Sequence, residues 1–175
     1  MIIAGFASVG KSTFCEKYKD KAVDFICMPY KYKNFEELAK NLQEGESIKA
    51  HDNLELVLGW QNDYFEAIKE YEKKHSDTYI FIPTESIVLK WLYEEGIPYI
   101  MIYPEDDLRE EYKNRYVNRG DSERFIEIFV DGWDSWMKLL RQCPGDNRII
   151  LKSGEFVADK IKPIRLNLCI CSLYV

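Results

Sequence analysis

The chain has 175 residues, 46% of them apolar and 31% charged, with a net charge of −6. That length and balance fit one soluble globular domain over 1–175, and the negative sign argues against binding driven by neutralising a polynucleotide backbone. No run of about 18 apolar residues is available to span a membrane, and the opening MIIAGF has no basic leader, so the expectation is a cytoplasmic protein without a membrane partner.

Met1 to Gly5 reads as a short buried strand, followed by a glycine-bearing loop and a helix from about Lys11 to Tyr18. Ala22 to Cys27 reads as a second strand. Met28 to Lys33 is expected to be loop, with Pro29 as a breaker. Asn34 is placed to cap a short helix through about Gln43, and Gly45 to Asn53 is polar and loop-like. Leu54 to Lys74 has apolar residues at helical spacing. Tyr79 to Ile82 is a third strand ended by Pro83. The helix Glu85–Glu94 is expected to bury Ile87, Val88, Trp91 and Leu92. Pro98 to Tyr103 is a fourth strand, and Pro104 opens a charged helix over about 105–118 that Gly120 breaks. Ser122 to Leu140 reads as one long helix with Phe125, Ile126, Phe129, Trp133, Trp136 and Leu140 inward. Arg148–Leu151 is a fifth strand, Gly154 to about Ile161 a last helix, and 163–175 an apolar tail without an assignment. Strands alternating with helices imply βαβ units and a parallel sheet covered on both faces.

The segment Gly5-Phe6-Ala7-Ser8-Val9-Gly10-Lys11-Ser12 has the pattern G-x-x-x-x-G-K-[ST] between an apolar strand and a helix. The glycines allow a tight backbone path. Backbone N–H groups and the positive end of the helix then face an anion. The expected nucleotide-binding set is Gly5, Ala7, Ser8, Val9, Gly10, Lys11, Ser12 and Thr13. Lys11 would reach the β- and γ-phosphates of ATP, and Ser12 would offer its hydroxyl to Mg²⁺. No N-K-x-D guanine-reading motif occurs, which removes the GTPase class, and the chain is too short for a motor.

Arg109, Lys113, Arg115, Arg119 and Arg124 fall close together, with Arg115 and Arg119 four apart on one helix face. Such cations can neutralise a transferring phosphoryl group, so Lys11, Arg115 and Arg119 are the candidate catalytic residues. Mixed charges make 105–120 a poor core element. It is expected to project from the sheet's C-terminal edge as a lid-like segment. Tyr30, Tyr32 and Trp60 are candidates to stack on an acceptor base, and Lys31 and Lys33 to hold an acceptor phosphate. His51 and His75 read as surface residues. The cysteines Cys15, Cys27, Cys143, Cys169 and Cys171 are odd in number, lack zinc or CxxC spacing, and read as reduced thiols.

GFASVGKS at 5–12, the acid-ending AVD at 22–24 and YPEDDLREEYKNRYVNRG at 103–120 together resemble small P-loop nucleoside and nucleotide kinases of bacteria and bacteriophages. Over about residues 1–160 the resemblance implies a P-loop NTPase fold, an α/β architecture with a five-stranded parallel sheet in the order 2-3-1-4-5. It implies ATP as donor and a nucleoside monophosphate as acceptor, and the expected function is transfer of the γ-phosphoryl of ATP to a nucleoside monophosphate or nucleoside. The third strand, YIFIPTE, has no Asp at its tip, so Asp24 joins Ser12 as the expected metal site, with Glu85 the other candidate acid. A nucleotide-binding regulatory protein without turnover, and a kinase for another small or polynucleotide acceptor, stay open beside this reading.

Overall fold

The computed structural model describes residues 1–41, 54–144 and 147–162. The expected loop at 45–53, the helix end near Gln43, His51, and the tail with Cys169 and Cys171 lie outside the described residues.

The central strand β1, Ile2–Gly5, is apolar and buried along its whole length, as a strand covered on both faces must be. Its neighbours are β3 (Tyr79–Pro83) and β4 (Tyr99–Pro104), flanked in turn by β2 (Ala22–Asp24) and β5 (Arg148–Leu151). The five strands are all parallel and run in the order β2-β3-β1-β4-β5, with helices on both faces. The chain therefore has the α/β P-loop NTPase architecture that the sequence implies. The register sets Gly5 opposite both Pro83 and Ile102, and Asp24 opposite Phe81. The C-terminal ends of the three strands that carry the candidate residues thus meet along one edge of the sheet.

Helices α1 (Lys11–Lys17), α2 (Met28–Lys31), α3 (Phe35–Lys40), α4 (Trp60–Lys74) and α5 (Ser86–Glu94) belong to the first half. A 3₁₀ turn, Asp106–Leu108, leads into α6 (Arg109–Asn118). Then come α7 (Glu123–Ile126), α8 (Trp133–Gln142) and α9 (Val157–Lys160). None of the described helices is long and apolar enough to cross a membrane.

Several elements differ from the sequence expectation, each for a local reason. Pro29 does not break α2, because it sits in the first turn, where its missing N–H costs nothing. Residues 54–59, expected to open α4, are not helical. Lys33 N donates to Glu55 O and Val57 N to Lys31 O, both at 2.9 Å, and Tyr32 pairs antiparallel with Leu56. Gly59, at φ +75°, then turns the chain into α4, and Leu58 is left 92% exposed. Strand β2 stops at Asp24, short of Cys27. On α5 the buried residues are Val88, Leu89, Trp91 and Leu92, while Ile87 faces out.

The 105–120 segment does not project from the sheet. Tyr112 and Tyr116 on α6 are fully buried, and Leu108 nearly so. Glu110 and Lys113 face solvent, while Arg115 and Arg119 lie against the two tyrosine rings, so one face of the helix serves as core after all. The expected single helix over 122–140 is divided. The Ser122 hydroxyl accepts from Phe125 N–H to start α7, and a π-helical turn over Glu127–Asp131 precedes α8. The wider turn stacks Phe125 on Phe129 and Phe129 on Trp136, and lets Trp136 Nε1 donate to Ile128 O.

Gly132 ends that turn. A Cβ there would lie 2.5 Å from Ile128 O, a backbone atom with little freedom to retreat. Gly132→Ala is expected to lower stability by about 1–3 kcal/mol, the scale of overpacking. Chemical denaturation read by circular dichroism checks it; an unchanged midpoint would mean that the π turn can shift freely.

Candidate functional site

The loop between β1 and α1 is fixed by its apolar residues and open at its polar ones. Phe6 and Val9 are fully buried, whereas Ala7, Ser8, Gly10 and Lys11 are partly exposed. Phe6 N–H donates to Ile102 O at 2.8 Å, and Val157 N–H donates to Val9 O at 2.9 Å, so β4 and α9 hold the two ends of the loop. Ser8 has φ 58° and Gly10 φ 91°. Gly10 is required twice over, since a Cβ there would also sit 3.1 Å from the Phe156 ring. Lys11 Nζ folds back across the loop and donates to Gly5 O at 2.7 Å and Phe6 O at 2.8 Å.

A cavity of about 1090 Å³ opens over this loop. Gly5, Ala7, Ser8, Gly10, Lys11, Ser12 and Thr13 line it, together with Asp24, Arg115 and Arg119. Of the residues expected to hold the nucleotide or metal or to act on the phosphoryl group, only Val9 does not, its side chain being in the core. Ser12 Oγ donates to Asp24 Oδ2 at 2.6 Å, and Asp24 Oδ1 is buried without a hydrogen-bond partner. Hard-oxygen donors of this kind suit Mg²⁺, which is commonly held by one or two side chains plus phosphate and water. Among the described residues no cluster of three or more His, Cys, Asp or Glu offers a cation a full protein cage.

The opposite wall comes from α6. Arg115 Nη1 donates to Ser8 O at 3.1 Å, and its Nη2 to Glu155 O at 3.1 Å and Glu111 Oε1 at 2.5 Å. Its guanidinium is centred 4.0 Å from the Phe156 ring and 4.6 Å from Tyr112. Burial pushes the Glu111 carboxyl up, but the Ser153 hydroxyl, the Gly154 N–H and Arg115 outweigh it and hold the group below the ordinary range. Arg119 makes a two-point contact with Asp121, whose side chain is 0% exposed, and lies against Tyr116 and Phe125. Glu111, Asp121 and Phe156 were not singled out in the sequence. Asp121, two residues past Arg119, is the one a local reading had in reach.

At the other end of the cavity Lys31 Nζ donates to Glu85 Oε1 at 2.6 Å. Burial pulls Lys31 down, but the hydrogen bond and charge of Glu85 outweigh it and hold the ammonium above its ordinary range. Tyr32 lines the cavity. Tyr30 instead packs on Phe25 and Tyr64, and Trp60 is buried against Tyr64 beneath the Lys31 ammonium. Lys33 is not among the lining residues.

No family model matches the chain, and no curated protein matches it. Among solved structures the chain is similar to dephospho-CoA kinase from Campylobacter jejuni, at 16% identity with 90% of each chain covered and a TM-score of 0.43. A likeness that low carries no functional weight; the fold rests on the strand order and the loop.

Two thiols adjoin the site. Cys27 is pushed up to about 12, by burial first and then by Glu85. Cys15 is also pushed up to about 12, by burial first and then by Asp24. A thiol whose folded pKa is raised stabilises the fold fully below the ordinary 9.0 and loses that contribution as pH rises toward about 12. Alkylation of Cys27 by iodoacetamide at pH 8 is therefore expected to be at least about a hundredfold slower than that of a free thiol. Thermal midpoints should fall between pH 9 and 11. Rapid labelling of Cys27 in the folded protein would contradict its place.

Proposed function

We propose that the chain is an ATP-dependent kinase that moves the γ-phosphoryl of ATP to a nucleoside or nucleoside monophosphate. The observation that carries the reading is the Ser12–Asp24 hydrogen bond of 2.6 Å beside Lys11, in a cavity whose far wall holds Arg115 and Arg119. That arrangement supports a donor nucleotide with its phosphates over the loop N–H groups and the start of α1. Lys11 trades its bonds to Gly5 O and Phe6 O for phosphate oxygens. Ser12 and Asp24 would hold Mg²⁺, whose charge offsets that of the phosphates. The ring of Phe156, beside Gly10 and open to the cavity, gives the nucleotide base a flat surface next to the phosphate loop.

Transfer forms a bond from the acceptor oxygen to the γ-phosphorus. It breaks the bond to the β–γ bridging oxygen and leaves the electron pair on ADP. Charge on the moving group is what Arg115 and Arg119 are positioned to offset, so their contribution belongs to the transition state more than to ATP binding.

Lys11→Ala is expected to abolish or greatly weaken ATP-Mg²⁺ binding while leaving the fold intact, because the lysine side chain lies over the loop and outside the core. Asp24→Asn is expected to cut turnover with little effect on ATP affinity. Calorimetric titration and ADP release against ribo- and deoxynucleosides and their monophosphates test both. Unchanged affinity in the Lys11 variant would sink the nucleotide assignment. ATP binding without ADP release from any acceptor would favour a regulatory binder.

Arg115→Ala or Arg119→Ala is expected to lower kcat ten- to a thousandfold, roughly 1.4 to 4 kcal/mol. ATP affinity should change much less. Full turnover in both variants would reduce α6 to a structural helix.

A further inference from the structure

The two ends of the cavity are built differently. Arg115, Arg119 and Arg124 line the α6–α7 wall, the first two ion-paired with Glu111 and Asp121, while Asp24, Glu85 and Lys31 line the end near α2. The Lys31 and Glu85 side chains are only 21% and 32% exposed, and their 2.6 Å contact cancels one charge with the other. The residues are 54 positions apart in the chain. They meet because Glu85 follows Pro83, which pairs with Gly5 at the base of the phosphate loop, and α2 follows Asp24. The α2 end of the cavity therefore presents Asp24, a carboxylate, and a neutral pair. Among the described residues it offers no cation beyond the one already engaged.

We infer that the Lys31–Glu85 pair is the specificity element of the acceptor site, admitting an uncharged hydroxyl compound and rejecting acceptors that already carry a phosphate. A phosphate dianion at this end would face Glu85, and Asp24 as well wherever Mg²⁺ is not bound, and would have to take Lys31 from its partner, an arrangement of like charges that discriminates against it. A hydroxyl faces no such opposition. Glu85 Oε1 accepts from both Lys31 Nζ and Cys27 Sγ, and its Oε2 has no donor among the described residues. Oε2 is the atom that orients the acceptor hydroxyl. In transfer the hydroxyl oxygen bonds to the γ-phosphorus and the bond to the bridging oxygen breaks. ADP leaves with the electron pair, and the hydroxyl proton passes to Oε2 and then to solvent. The Tyr32 ring lines the same end, 5.8 Å from the Lys31 ammonium, and favours an acceptor with a planar ring. This inference deepens the kinase reading and rests on it for the identity of the transferred group.

The test is paired binding. Common nucleosides and their 5′-monophosphates are titrated into the full chain, with and without Mg²⁺ and a non-hydrolysable ATP analogue. Nucleosides are expected to bind at least about tenfold more tightly than their monophosphates. In Glu85→Gln, Lys31 is released and the preference should narrow by about tenfold or reverse, while ADP release with nucleosides falls. The Glu85 side chain makes no capping bond to α5, so the Glu85→Gln variant keeps the fold. Lys31→Gln leaves Glu85 unpaired and should weaken monophosphate binding further. Monophosphates binding as tightly as nucleosides, a Glu85→Gln variant with an unchanged ratio, or binding of neither class would overturn the inference. Titration of the ATP analogue alone reports separately on the kinase reading.

Discussion

The Phe6 ring, buried under the phosphate loop, is the contact on which the geometry of the site depends. It meets Phe129 at 5.5 Å and Trp133 at 5.8 Å, both edge-on, and Tyr112 at 6.2 Å. Edge-to-face packing of this kind adds to the large area each ring removes from water. Truncating such a ring in a core costs about 3–5 kcal/mol. The loop is short and carries two residues at positive φ, so it has little stability of its own. Its position is borrowed from the aromatic core beneath it. That core is built from α6, the π turn and α8, and α6 with its C-cap also carries Arg115 and Arg119 of the cationic wall. One packing event thus sets the distance between the loop and the arginines.

The arginines are placed by partners instead of being left to search. Arg115 is clamped between two backbone carbonyls, a carboxylate and two rings, and Arg119 is fixed by a fully covered Asp121. Covering an ion pair has a desolvation cost that a surface pair avoids. The return is a charge whose orientation is fixed before any ligand arrives. With Tyr112 and Tyr116 buried, swinging all of α6 away would expose two tyrosine rings, a cost that movement of the guanidinium ends alone avoids.

Much of this was legible in the sequence where signals are local. The loop pattern between an apolar strand and a helix located the site, and the alternation of strands and helices is realised in the parallel sheet. Strand β5 spans Arg148–Leu151, the bounds read from the sequence. Errors arose where a residue has two readings. Pro29 breaks a helix interior but suits a first turn, and the apolar spacing of Leu54–Leu58 mimics a helix while its backbone pairs with 31–33. The charges of α6 hid its two buried tyrosines. The Lys31–Glu85 pair and the Phe156–Arg115 stack join residues distant in the chain, and no spacing rule announces them.

The placement of the indoles has an optical consequence. Trp136 lines the cavity and stacks on Phe129 at 7° between planes, while Trp60 lies under the Lys31 ammonium at the opposite end. Trp91 is stacked on Phe65, and Trp133 is buried with its Nε1 bonded to Asp106 O. Of the four indoles Trp136 lines the cavity, while Trp60, Trp91 and Trp133 are buried. A ligand entering beside Trp136 changes the polarity around that fluorophore and leaves the other three in their surroundings. The chain carries its own optical gauge of occupancy, with no dye or label attached.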